Sequence, residues 1–145
     1  MIVRGCDFPE DRYYHADINV WLKEEAPGVL LLGATSFGVA LAVEFVAFLP
    51  KPSGTQVEAG RAVGLLELSK TMVSVRSPVK ATILAHNAAA VADPALISTD
   101  PYQGGWLLRL GVDEWKSADL VSGAAIPAAF EQAMDLENFT GRQVR

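Results

Sequence analysis

The chain is expected to fold as an all-β domain in the main, a small sandwich or barrel with short helices and one C-terminal helix. Three features predict this. Apolar residues come in runs of strand length, such as Val29 to Leu32 and Val63 to Leu68. Turn-forming clusters punctuate the runs, most densely at Pro50-Lys51-Pro52-Ser53-Gly54 and at Asp100-Pro101-Tyr102-Gln103-Gly104-Gly105. Helical spacing is clear only near the C-terminus, where Ile126, Phe130 and Met134 recur every fourth residue.

Taken in order, residues 1–12 are turn-rich and carry Cys6 and Pro9. Ile18 to Leu22 and Val29 to Leu32 read as strands, and Glu24-Glu25 as a solvated turn between them. Phe37 to Val43 suits a short helix as well as a strand. Val43 to Leu49, rich in Val and Phe, is a strand stopped by Pro50. Val63 to Leu68 runs up and Thr71 to Val79 comes back, with Ser69-Lys70 between them. On the return, Thr71, Val73 and Val75 point one way and Met72, Ser74 and Arg76 the other, a half-buried alternation. This is a hairpin with Lys70 near its tip, although Ser-Lys is a weak turn dipeptide. Asp93 is placed to cap a helical turn that starts at Pro94. Trp106 to Leu110 is the last strand. The helix runs from Pro127 to Leu136, with Phe130 and Met134 inward and Glu131 and Asp135 toward water.

Length and composition fit one domain over 1–145, with a core at 13–115 and a C-terminal extension at 116–145. Its 145 residues are half hydrophobic and one-fifth charged, enough to bury a core without staples. A net charge of −5 argues against nucleic acid, whose phosphates require clustered Lys and Arg. No apolar stretch reaches membrane-spanning length, and the first residues lack the apolar segment of a signal peptide. A cytoplasmic setting is expected, and the single Cys6 excludes an internal disulfide.

The search for catalytic chemistry yields none. His15 and His86 have no Cys or His at metal-ligand spacing, so no metal site is expected. No Gly-x-Ser-x-Gly elbow or phosphate loop exists. Cys6 has only Arg4 as a basic neighbour, and a bystander role outweighs a reactive one. The absence of a catalytic constellation points to a carrier or binding module rather than an enzyme. Lys70 is the remaining candidate. A lysine at a hairpin tip is ordinarily a solvated charge. It is also where a modified lysine must stand: exposed to a modifying enzyme, held by paired strands, and here preceded by Glu67.

Six motifs in order between Leu30 and Leu110 then resemble one family. Gly33-Ala34-Thr35-Ser36-Phe37 looks like Gly-Ile-Thr-x-Tyr/Phe. Leu49-Pro50 and Gly54 look like Leu-Pro followed by Gly. Glu67-Leu68-Ser69-Lys70 stands where Glu-Ser-Val-Lys is expected, then Ser77-Pro78-Val79 and Asn87 follow. Asp100 to Trp106 is similar to Asp-Pro-Tyr-Gly-x-Gly-Trp. This is the pattern of the glycine cleavage system H protein. The resemblance implies a barrel-sandwich hybrid of the lipoyl-domain type and lipoic acid bound covalently to Lys70. It further implies Glu67 as a recognition residue for a lipoate ligase or lipoyltransferase, and Trp106 as core packing. Biotin is disfavoured: biotinyl domains typically flank the acceptor lysine with Met on both sides, and Lys70 has Ser69 and Thr71.

The departures from that pattern bear on the cargo. Leu41-Ala42-Val43 replaces Leu-Gly-Asp, and Ala81 replaces Gly. The opening Tyr-x-x-x-His-Glu-Trp is stretched into the run from Tyr13 to Trp21. Cys6-Asp7-Phe8-Pro9 and the tail beyond Trp115 are also unlike ordinary H proteins. In these respects the chain resembles H-like lipoate-binding proteins of sulfur oxidation, which implies a swinging arm carrying sulfur-bound intermediates to a heterodisulfide-reductase-like complex. The alternative is the H protein of glycine cleavage, carrying an aminomethyl group among glycine decarboxylase, aminomethyltransferase and dihydrolipoyl dehydrogenase. An unmodified scaffold is the third reading.

Overall fold

Both faces of the principal sheet are covered, which is why its strands read as near-continuous apolar runs. A computed structural model describes residues 1–116 and 119–141. In chain order the strands are β1 (Ile2–Val3), β2 (Cys6–Asp7), β3 (Tyr13–His15), β4 (Val20–Ala26) and β5 (Val29–Ala34), followed by the helix α1 (Ser36–Ala42). Next come β6 (Phe45–Pro50), β7 (Gln56–Val57), β8 (Ala62–Leu68), β9 (Met72–Arg76) and β10 (Ala81–His86). Two one-turn helices, α2 (Ala88–Ala92) and α3 (Ala95–Thr99), lead to β11 (Leu108–Gly111) and the helix α4 (Ile126–Leu136).

Six strands form one sheet in the order β3-β4-β5-β11-β10-β7, three form a second in the order β6-β8-β9, and β1 pairs with β2. Alternation sorts the side chains. Val20 and Leu22 of β4, with Leu30 and Leu32 of β5, pack against Phe48, Val63, Leu66 and Val75 of the small sheet. Trp21 and Leu31 point the other way, into a second cluster with Phe8, Tyr14, Phe37, Phe130 and Met134. The N-terminal hairpin and α4 therefore close the back of the large sheet, while the small sheet closes its front. The result is the expected barrel-sandwich hybrid with a C-terminal helix. On α4, Ile126, Phe130 and Met134 are fully buried and Glu131 and Asp135 exposed, as their spacing predicts.

Several boundaries differ from the sequence reading. The strand expected from Ile18 begins at Val20, because Ala16–Ile18 is a 3-10 turn ended by Asn19 at φ 54°. Glu24 and Glu25 extend β4 rather than forming a turn, and Glu25 pairs with Arg109 at 2.7 Å. The ambiguous Phe37 stretch is helical, because Thr35 Oγ1 accepts the Gly38 N–H at 3.0 Å. Val43 lies outside β6, in a tight turn. The first helical residue after Asp93 is Ala95, not Pro94, and Asp93 Oδ1 accepts the Ala95 N–H at 3.3 Å. The strand β10 and the helix α2 were not anticipated. Trp106 packs against the second core cluster, as expected, but stays half-buried, with the Arg109 guanidinium 5.1 Å from its ring centre. Residues 117–118 and 142–145 of the expected C-terminal extension lie outside the described residues.

Candidate functional site

The β8–β9 hairpin ends in a two-residue loop, Ser69-Lys70. The Leu68 N–H donates to the Thr71 carbonyl at 2.8 Å to close it. Neither loop residue has positive φ, so no Asn or Gly is required, and turn propensity has nothing to detect. Glu67 stands in register between Met72 and Ala47. Lys70 is exposed and Glu67 half-buried. Among the described residues no carboxylate forms an ion pair with Lys70, so its amine is held by nothing in the fold. The expected half-burial of the return strand fails. On β9 only Val75 is buried, because β9 is an edge strand with no neighbour beyond it.

Beside this edge a cleft of about 360 Å³ opens between the two sheets. Leu66, Leu68 and Val73, with Phe45 of β6 in the same sheet, form its small-sheet wall, and Ile18, Val20 and Ala34 part of the opposite one. Asp17 and Arg76 are the charged groups lining it. Sequence reasoning missed this cleft, since its residues come from separate elements and carry no shared motif. Cys6 is fully buried, away from the hairpin. His86 is exposed, and His15 is half-buried with a buried Nδ1 that has no hydrogen-bond partner. No group of three metal-ligating side chains gathers among the described residues.

The other motifs hold the scaffold. A side chain at Gly33 would enter the indole of Trp21. Ser77, fully buried, donates from Oγ to the Val79 carbonyl at 2.6 Å. Asn87 Nδ2 donates to the carbonyls of Gly104 and Trp106, each at 2.8 Å. Asp100 Oδ2 accepts the Gly104 N–H at 2.9 Å. The Tyr102 hydroxyl donates to the Asp7 carbonyl at 2.6 Å and accepts the Ser36 N–H at 2.9 Å. Burial pushes this phenol well above its ordinary pKa, so it keeps its proton for that contact. Arg12, also unanticipated, is buried with its guanidinium 4.7 Å from the Trp21 ring centre and 5.2 Å from that of Tyr102. It donates to Asp11 at 2.9 Å and to the Tyr102 carbonyl at 2.8 Å.

A family model for the glycine cleavage H-protein matches residues 12–132. The chain belongs to the glycine cleavage H-protein family. It is 38% identical over 112 residues to glycine cleavage system H protein 5 of Aquifex aeolicus, covering 74% of this chain and 75% of that one. It is 30% identical over 147 aligned positions to a probable glycine cleavage system H protein 2 of Saccharolobus solfataricus, covering 99% of both. The crystal structure of a glycine cleavage system H protein from Mycobacterium marinum superposes with a TM-score of 0.72 at 29% identity, covering 90% of this chain and 99% of that one. The family match thus spans the hairpin, the cleft and the Asp100–Trp106 loop together.

Proposed function

We propose that this chain is a lipoyl carrier of the glycine cleavage type, with lipoate joined by an amide to Nζ of Lys70. The observation that carries the reading is a lysine that the fold exposes, fixes on a hairpin and leaves unpaired, in a chain of the H-protein family. Lipoate fits the surroundings: an extended arm of about 10–15 Å would find an apolar cleft beside its root. Bound lipoate supplies a dithiol–disulfide couple able to hold a group on sulfur.

The chain's own residues act by position. The closed loop sets where the arm begins, and the paired strands β8 and β9 limit how far that origin moves. Leu66, Leu68 and Val73 offer apolar contact to the arm between deliveries. Glu67, one pair below the loop, presents a carboxylate to a lipoate ligase or lipoyltransferase. Acid–base and redox catalysis fall to the partner enzymes.

The cargo follows the comparisons. The sulfur-bound intermediate and the heterodisulfide-reductase-like partner, favoured by the departures from the family pattern, gain no support from them. The family model and the relatives' names instead favour an aminomethyl group passed among glycine decarboxylase, aminomethyltransferase and dihydrolipoyl dehydrogenase. The test is to supply the lipoylated protein to purified glycine decarboxylase and follow exchange of labelled bicarbonate into glycine. Exchange dependent on the carrier supports the aminomethyl cargo. A fully lipoylated protein that supports no exchange would rule out that cargo while leaving the carrier intact.

A further inference from the structure

Among the described residues the two larger sheets leave four edges, and three of them are protected. On β3, Tyr14 exchanges backbone hydrogen bonds with Val121, each at 2.9 Å. The strand β7 is only two residues long. The strand β6 has an irregular register between Phe45 and Ala47, ends in Pro50, and packs beside α2 and α3. The fourth edge, β9, runs for five residues without Gly or Pro. The extra residue of the β8–β9 pair, Val63, belongs to β8 and leaves β9 regular. The charge on β9, Arg76, is turned back on its own hairpin, donating to the Gly60 carbonyl at 3.0 Å. Sheets usually blunt such an edge with charge, Pro or a bulge. A bare one is a template for another strand.

Parity fixes which groups this edge offers. The Thr71 carbonyl accepts the Leu68 N–H at 2.8 Å, and the Ser77 N–H donates to the Arg61 carbonyl at 3.0 Å. Both therefore point toward β8. Backbone groups alternate sides along an antiparallel strand, so those of Met72, Ser74 and Arg76 point to the free edge. Side chains alternate between faces in the same rhythm. Val75 is buried against the large sheet, and Val73, 41% exposed, lines the cleft beside it. Met72, Ser74 and Arg76 share the outer face and are exposed.

The occupant this edge fits is the same strand of a second copy. Two β9 strands set antiparallel about an axis at Ser74 bring the two Ser74 residues opposite each other. Met72 of each copy then faces Arg76 of the other, and Val73 faces Val75. Every outward N–H and C=O of Met72, Ser74 and Arg76 gains a partner in this register. On the inner face the opposed residues are both valines, a favourable β-branched pair. On the outer face the aliphatic stem of Arg76 covers Met72, and no like charges stand opposed. We propose that β9 is a self-pairing edge that joins two copies of this chain into one continuous sheet, through an interface that uses the same strand on both sides. Val73, Ser74 and Val75 also line the cleft, so the pairing narrows the cleft mouth. The inference is independent of what Lys70 carries.

Sedimentation velocity of the full chain, from about 10 µM to about 1 mM, tests the pairing. A short edge-to-edge contact is expected to give a dimer with Kd of about 0.1 mM. Ser74→Pro removes an outward N–H without touching the β8 ladder, and the variant is expected to stay monomeric throughout. Met72→Lys sets a like charge opposite Arg76 of the other copy and is expected to raise Kd about fivefold. Met72→Glu sets an opposite charge there and is expected to lower it about fivefold. Both Met72 variants should keep Tm within about 2 °C of wild type. A wild type that stays monomeric at about 1 mM overturns the proposal. So does a dimer whose Kd neither charge moves, or both move in the same direction, since another surface or register then holds it. If Ser74→Pro does not fold, the two Met72 variants decide the matter alone.

Discussion

In the loop from Asp100 to Trp106, polar groups are tied down one after another. Asp100 holds Gly104, Asn87 holds Gly104 and Trp106, and the Tyr102 hydroxyl bridges Asp7 and Ser36. Arg12 is locked beneath, between two rings. At the Glu67–Thr71 tip one backbone hydrogen bond closes the turn, and the lysine has no ion pair among the described residues. Both segments match the family pattern, yet packing explains the first and leaves the second unexplained. The difference separates residues that the fold requires from those that a partner requires.

The contrast predicts opposite outcomes in the two regions. Gly105→Ala should cost most, about 3 kcal/mol, because the new methyl group would overlap the backbone carbonyls of Leu96 and Asp100. Urea unfolding measures it, and a loss under about 1 kcal/mol would show that the loop can yield. Arg12→Met removes the charge-assisted hydrogen bonds and the ring contacts but keeps bulk, for an expected loss of about 2 kcal/mol. At the tip, Glu67→Gln should leave unfolding unchanged and slow lipoyl attachment by about tenfold, equivalent to about 1.4 kcal/mol. Initial rates with a lipoate ligase test it; an unchanged rate removes Glu67 from recognition.

The smallest effect concerns pH. The Arg12 hydrogen bond, with help from Lys23, holds the Asp11 carboxyl below its ordinary value of 3.8. The folded state thus favours the carboxylate. Its stabilising contribution is complete above the unfolded pKa and disappears as pH falls through the lowered folded one. Asp11 is 54% exposed, so screening keeps the contribution to about 0.3 kcal/mol. Between pH 5 and pH 2 the wild type should lose that much more stability than Asp11→Asn. Parallel curves would show that the pair contributes nothing.

What the sequence disclosed follows the same division. Strands covered on both faces declared themselves as apolar runs, and α4 through the spacing of Ile126, Phe130 and Met134. Lys70 was legible because a family motif ends on it, although its turn has no propensity signal. The helix α1 stayed ambiguous because Phe37 and Val39 are buried on a one-sided segment too short for periodicity to separate from a strand. Arg12 gave no sign of its burial, since its ring partners, Trp21 and Tyr102, stand far from it in sequence. The cleft was hidden for the same reason: it exists only once β9 stands as an edge across from Ile18, Val20 and Ala34.

The central claim is that Lys70 serves a partner and not the fold. Intact mass and thermal unfolding of wild type and Lys70→Arg, both produced in a host that lipoylates H proteins, test it most directly. The expected result is one lipoyl adduct on the wild type, none on the variant, and the same Tm for their unmodified forms. An unmodified wild type, an adduct that survives the substitution, or a variant with substantially lower Tm would contradict it.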